Sequence, residues 1–302
     1  VEPVTYNALF GYIGETAYIK NVTVENGYIE GRGNTAGIVG YNYRGVIANS
    51  NNKNIVVDIS WQVGGIVGNN ATGTLLECDN QGVICGKYNV GGIIGQNYET
   101  GTNYGYALIK ACSSRGVAFG DYYNVGGIVG CNASPLKVLE CNNLGYIYGG
   151  VGAGGIIGSV GGVTDKETVI EIDKCVNLGK VKGNNNIGGL VGRLEQERGI
   201  GSTTAIISNS YNSNVISGSG AVGGLVGYMS EKAIITKSYN LGEIVGSWIG
   251  GLVGKCNSEL IITDSYNLGQ LTCEYNSGGI VGYQGSTDIT EFIIPTEIEG
   301  KT

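Results

Sequence analysis

Histidine is absent from this 302-residue chain, and proline, phenylalanine, tryptophan and methionine are scarce at 3, 3, 2 and 1 residues. Without histidine there can be no Ser-His-Asp or Cys-His nucleophile system and no His-Glu-x-x-His zinc site. Charge is also sparse: 14% of residues are charged, the net charge is −7, and the Lys and Arg residues form no cluster. Phosphate backbones and anionic bilayers both need clustered cations, so nucleic acid and membrane surfaces are poor partners. No apolar run approaches the ~20 residues that cross a bilayer. No basic start followed by an apolar core marks a signal peptide. The first residue is Val1, which reads as a trimmed fragment of a larger parent protein whose other domains, leader and anchor lie outside it. No capped amphipathic segment of helical length is visible. No Cys-x-x-Cys pair occurs, so neither a metal nor a cofactor is expected.

What the chain has in excess is glycine, 56 residues, in a set pattern. A tetrad of Gly, two aliphatic residues and Gly recurs ten times, starting at Gly11, Gly37, Gly65, Gly92, Gly127, Gly155, Gly189, Gly224, Gly251 and Gly279. Successive spacings are 26, 28, 27, 35, 28, 34, 35, 27 and 28 residues. A fixed period in this range is the signature of a stacked array of one supersecondary unit. The 42% hydrophobic content, held in phase with the tetrads, excludes a disordered Gly-rich chain.

Each unit carries three short apolar segments, typified by Ile234–Ser238, Glu243–Val245 and the tetrad at Gly251. They are rich in β-branched residues and too short for helices, so they read as strands. The expected fold is all-β: a single-stranded parallel β-helix, or β-solenoid, of about ten coils of ~27 residues, right-handed by the general rule for parallel crossovers. The whole of 1–302 forms one domain in this reading, with 287–302 as a C-terminal cap or tail. In the tetrad, one central aliphatic is expected to face the core, while the glycines allow positive φ at a corner and close approach of neighbouring backbones. A propeller blade needs a longer period, roughly 40 to 50 residues.

In-register stacking sets equivalent side chains above one another. One column reads Val22, Ser50, Cys78, Cys112, Cys141, Cys175, Ser210, Ser238, Ser265, where Cys acts as a small buried hydrophobe. The eight cysteines are therefore expected to be free, because parallel Cβ vectors are poorly aimed for disulfides. Two residues on, Asn52, Asn80, Asn143, Asn177, Asn212, Asn240 and Asn267 form a column whose amides suit coil-to-coil hydrogen bonds.

Candidate binding residues are the aromatics before the glycine pairs: Trp61, Tyr88, Tyr123 and Tyr275 three residues ahead, and Trp248 two ahead. Tyr98 and Tyr104 lie in the first of three lengthened units, whose additions follow the tetrads at Gly92, Gly155 and Gly189 and should emerge from one corner. Exposed aromatic rings stack on sugars or anchor proteins; the alternative is that they shield backbone at the corner. Glu171 and Asp173 alternate along one strand, with Asp165, Glu167, Glu195 and Glu197 nearby, which reads as solvated surface. Two Gly-x-Gly-x-x-Gly matches, at Gly150 and Gly218, fall at repeat corners without a following helix and carry no nucleotide-binding role.

The tetrads from about Gly11 to Gly282, with Ser-Tyr-Asn-Leu-Gly at Ser238 and Ser265, resemble the GLUG repeat. The first copy departs from the pattern, with Tyr12 in the tetrad and Val22 in the Cys/Ser column, and reads as an adapted end cap. GLUG repeats occur in bacterial cell-surface and secreted proteins, including adhesins and non-catalytic regions of IgA-cleaving metallopeptidases. The resemblance implies an extracellular, non-enzymatic module and brings no catalytic residues. The expected role is adhesion to a host or bacterial glycan or surface protein. The alternatives are a passive stalk displaying another domain, or a carbohydrate-active enzyme using the acidic residues.

Overall fold

The computed structural model describes residues 5–99, 105–161, 167–195, 202–285 and 289–292. All 42 of its elements are strands, stacked in parallel into sheets of 13, 10, 10 and 9 strands. The chain is thus the expected parallel β-helix. One coil runs through Val83–Gly91 in the 13-stranded arm sheet, Ile94–Asn97 in the tetrad sheet, Ala107–Lys110 in the flank sheet and Ser113–Ser114 in the short sheet. The tetrad sheet keeps one register from end to end, with Phe10, Val39, Val67, Ile94, Val129, Ile157, Val191, Val226, Val253 and Val281 in a single column. The first coil's tetrad, expected to start at Gly11, is therefore three residues out of phase, since Gly11 stands opposite Gly40 and Tyr12 opposite Tyr41. Ile289–Phe292, in the segment read as a cap, adds the last strand of the flank sheet, opposite Leu260–Thr263.

There are four strands per coil rather than the expected three. The fourth is the two-residue strand at the Asn column, and the arm strand extends through the stretch before each glycine pair. Neither has an apolar period of its own. Their strand conformation comes from pairing with the same residues one coil away.

The coil has two lobes. The main core lies among the tetrad, flank and short sheets. Both central aliphatics of a tetrad enter it, not one: Ile93 and Ile94, or Ile128 and Val129, are fully buried, because the chain turns a corner between them. Each such side chain contributes about 1.5–3 kcal/mol. A smaller core sits where the arm strand folds back on itself, so that Ile84 and Val90 of one strand share it with Ala118 and Val125 of the next.

A double wall separates the lobes and accounts for the glycine frame. A Cβ on Gly95 would lie 2.6 Å from the Val63 nitrogen, and one on Gly130 2.7 Å from the Asn89 carbonyl carbon, so tetrad and arm strands touch backbone to backbone. From Gly37 to Gly251 the first glycine of each tetrad is confined along the rod: a Cβ on Gly127 would strike the Gly155 oxygen, and one on Gly155 the Gly189 oxygen. The tetrad glycines do not take positive φ, as had been expected; among the described glycines only Gly33 and Gly152 do. Close approach alone requires them.

The left-handed corners fall elsewhere, on Asn21, Asn49, Glu77, Ala111, Glu140, Lys174, Asn209, Lys237 and Asp264, with φ between 45° and 61°. Each directly precedes the Cys/Ser column, which explains that column. Ser238 Oγ donates to the Thr236 carbonyl across the corner at 2.8 Å, and Cys141 Sγ does the same to Leu139 at 3.3 Å. The same atoms accept from the coil before: Cys112 N–H donates to Cys141 Sγ and Ser210 N–H to Ser238 Oγ. Cys and Ser interchange because both bridge a corner, so Cys here is more than a small hydrophobe. All eight thiols are free.

Candidate interaction surface

The arm strand bends outward around its small core at Gly86, Gly120 and Gly149, where a Cβ would press into Val63, Val90 or Val125. Just past the bend come the aromatics singled out in the sequence. Tyr88, Tyr123, Val151 and Asn185 occupy one register position, and Trp61 immediately precedes the strand Gln62–Gly64 that pairs beside Tyr88's strand. Trp61 is held there by Asp58, whose carboxylate accepts the Ser60 and Trp61 N–H groups at 2.7 and 3.0 Å and, on its other oxygen, Gly33 N–H and the Thr35 hydroxyl. Burial pushes the Asp58 carboxyl above its usual range, and those four hydrogen bonds act against the shift.

Trp61 stacks on Tyr88 at 5.2 Å, and Tyr88 stacks on Tyr122 and Tyr123 at 5.5 and 6.0 Å, with interplanar angles of 26°, 16° and 11°. Trp61 and Tyr123 remain 57% and 43% exposed. Only the inner faces are spent on neighbouring rungs. Open faces are left only at the ladder's ends, the far one over Gly150 and Val151. Tyr122 was not anticipated. It is the extra residue of a bulge, five residues separating Gly120 from Gly126 where four separate Gly86 from Gly91.

The other candidates stand apart from this ladder. Trp248 pairs in register with Ala221 and Asn276, not with the Trp61 column, and meets Tyr283 edge-on at 5.3 Å. Tyr275 falls in the bulge between Cys273 and Asn276 and is 73% exposed. Tyr98 is half-buried after its tetrad strand, donating its N–H to Asn70. Tyr104 lies outside the described residues, as do Asp165 and Glu197. All three lengthened units expand the same connection, between tetrad and flank strands.

That corner also carries a feature without a sequence signal. Glu99 is 4% exposed; its carboxylate takes Arg44 at 2.5 Å and the Thr72 hydroxyl, and its N–H donates to Ser134 Oγ, so four coils are joined at one residue.

The sheets differ in what they show to solvent. On the flank sheet, charges pair: Lys137 with Glu171 at 2.9 Å and Lys232 with Glu259 at 2.8 Å. Glu171 and Asp173 share one face of Thr168–Asp173, as expected. Burial opposes ionisation of Asp173, but hydrogen bonds from Asn209 and Ser208 outweigh it and hold the carboxyl below its usual value. That is the opposite of the raised acid a glycosidase needs. The outward side of the arm sheet is apolar and aromatic instead. Ile55, Val83 and Val117 follow Tyr28 in one row, and Phe119 stacks on Tyr148 at 5.1 Å and 7° in the next.

No protein-family model, curated protein or solved structure matches the chain.

Proposed function

We propose that the chain is a non-enzymatic repeat module of a bacterial surface protein, and that it serves adhesion through the outer side of its arm sheet. The observation that carries the reading is the contrast between sheets. The flank sheet neutralises its charges in ion pairs, whereas the arm sheet presents rows of aromatic and aliphatic side chains of the kind that mark interaction surfaces. The GLUG resemblance supports an extracellular setting. The partner in this reading is a host or bacterial glycan or surface protein.

The stalk reading has one observation of its own: the rings of the Trp61–Tyr88–Tyr123 ladder use their faces on one another. Binding of the intact chain to an array of glycans and matrix proteins separates the two. Adhesion predicts reproducible hits that weaken on the paired substitution Phe119→Ser and Tyr148→Ser, with the β-rich circular dichroism spectrum unchanged. A blank array with folded protein rejects adhesion in favour of the stalk.

A further inference from the structure

Along the last four coils, the bend of the arm sheet forms a shallow groove parallel to the rod axis. Its floor is glycine, at Gly218 and Gly246, because the tight turn over Ile187 and Val222 leaves no room for a Cβ. One wall carries Lys182 and Ser217, which are register neighbours, and the other Asn184 and Ser219. Ser219 Oγ donates to the Asn184 carbonyl at 3.0 Å. The Asn184 amide, the Ser217 hydroxyl and the Lys182 ammonium make no hydrogen bond or ion pair among the described residues and face the groove. Glu274 stands at its far end, so one cation and one anion leave it without net charge.

One coil beyond the near end, in register with Lys182, stands an aromatic ring. Tyr148 is the last ring of its column: Phe119 covers one face, and the next residue in register is Lys182. Its second face is therefore turned along the axis, towards the groove.

We infer that this groove binds a linear, neutral oligosaccharide of pyranose sugars lying along the rod, with its terminal ring stacked on Tyr148 as the next rung. The inference rests on the adhesion reading and names the ligand class for it. Three observations select this ligand. Along one wall polar side chains recur at the coil rise of ~4.8 Å, at Asn184, Ser219, Ser247 and Glu274, while Val245 interrupts the other wall. That step is close to the repeat of an extended pyranose chain, whereas an extended peptide repeats at ~3.3 Å and falls out of step. The groove has no net charge. A glycine floor flanked by hydroxyls, with a ring face at one end, is the donor set that sugar hydroxyls and C–H faces require.

The test is titration calorimetry of the intact chain with linear neutral gluco-, manno- and N-acetylglucosamine oligosaccharides of two to eight sugars. Affinity should rise with length to about four sugars, one per coil at the ~4.8 Å rise, and then level off. Ser217→Tyr, which fills the groove with a strand-favouring residue, should weaken binding at least about tenfold, and Asn184→Ala should weaken it several-fold. Trp61→Ala should leave it unchanged. Binding that ignores Ser217→Tyr and Asn184→Ala, or that is lost on Trp61→Ala, overturns the groove. So does a chain that captures matrix proteins on the array and no oligosaccharide, although the adhesion reading then survives. A chain that binds neither class defeats both.

Discussion

Asn143 donates its side-chain N–H to the side-chain oxygen of Asn177 across 2.7 Å, from one coil to the next. The same bond links Asn177 to Asn212, Asn212 to Asn240 and Asn240 to Asn267. The second amide hydrogen closes each residue's own turn, as from Asn177 to the Gly179 carbonyl. The column is interrupted at Ser114, in register between Asn80 and Asn143, where the buried hydroxyl has no partner among the described residues. Ser114→Asn should join the two halves and stabilise the rod by about 1–2 kcal/mol, from one or two buried hydrogen bonds of ~1 kcal/mol each. Urea unfolding of wild type and variant reads this directly. A lower midpoint in the variant would mean that the fourth coil is too tight for an amide.

Gly127→Ala tests the close-approach account of the tetrad. The added methyl would meet the Gly155 carbonyl oxygen and the Asn143 side chain, neither of which can retreat without breaking its own ladder. A loss of about 3 kcal/mol or more is expected, at the upper end for overpacking. Gly279→Ala, at the same tetrad position in the last coil, where nothing described lies within 4 Å, is the matched control and should cost little. Equal thermal shifts in the two variants would return the explanation to conformational freedom.

How far the sequence reveals this fold depends on whether a feature repeats in phase. The tetrads and the first Asn column do, and they lead directly to a parallel β-helix. A second amide ladder, Asn42–Asn70–Asn97–Asn132, was equally legible, since Asn follows four consecutive tetrads by two residues. It was missed because the position turns apolar at Val160, Leu194 and Met229. The two-lobed cross-section was not legible, because Val63 and Ile84 meet through a fold-back that no local period records. Trp248, two residues before its glycine pair rather than three, keeps that phase in the structure, beside Ala221 and Asn276 and out of the Trp61 column. Of the candidate surface, sequence gave three of the four ladder rings. The groove was hidden, since its walls are ordinary Ser and Asn residues brought into line by stacking.

The thiol column makes a chemical prediction. The Cys78 thiol is raised far above the ordinary range by its hydrogen bond with Cys112 and by burial, and those of Cys112 and Cys141 are raised chiefly by burial. The folded chain therefore holds these protons more tightly than the unfolded chain. The stability involved is fully present below the ordinary thiol range and is lost as pH rises through the folded values, in strong alkali. At pH 8 a maleimide should modify the half-exposed Cys273 first and leave Cys78, Cys112 and Cys141 untouched until global unfolding. Labelling of Cys112 in folded protein, located by peptide mass mapping, would show that the column opens locally.

Tyr88 and Tyr275 occupy the same place before a glycine pair in the sequence, yet their surroundings are opposite. Tyr88 is the middle rung, stacked on Trp61, Tyr122 and Tyr123, while Tyr275 has no ring neighbour among the described residues. Offset stacking contributes about 0.5–1.5 kcal/mol per pair beyond area burial. Tyr88→Ala should therefore lower stability by about 1–3 kcal/mol, allowing for partial collapse of the neighbours into the gap. Tyr275→Ala, at an exposed site, should stay within about 0.5 kcal/mol. Melting temperatures of the two variants decide the ladder's role. A large shift for Tyr88 with array binding retained assigns the ladder to holding the rod together and leaves ligand capture to the groove and the Phe119–Tyr148 row. A negligible shift with binding lost would instead make the ring edges the contact surface and move the site to the N-terminal coils.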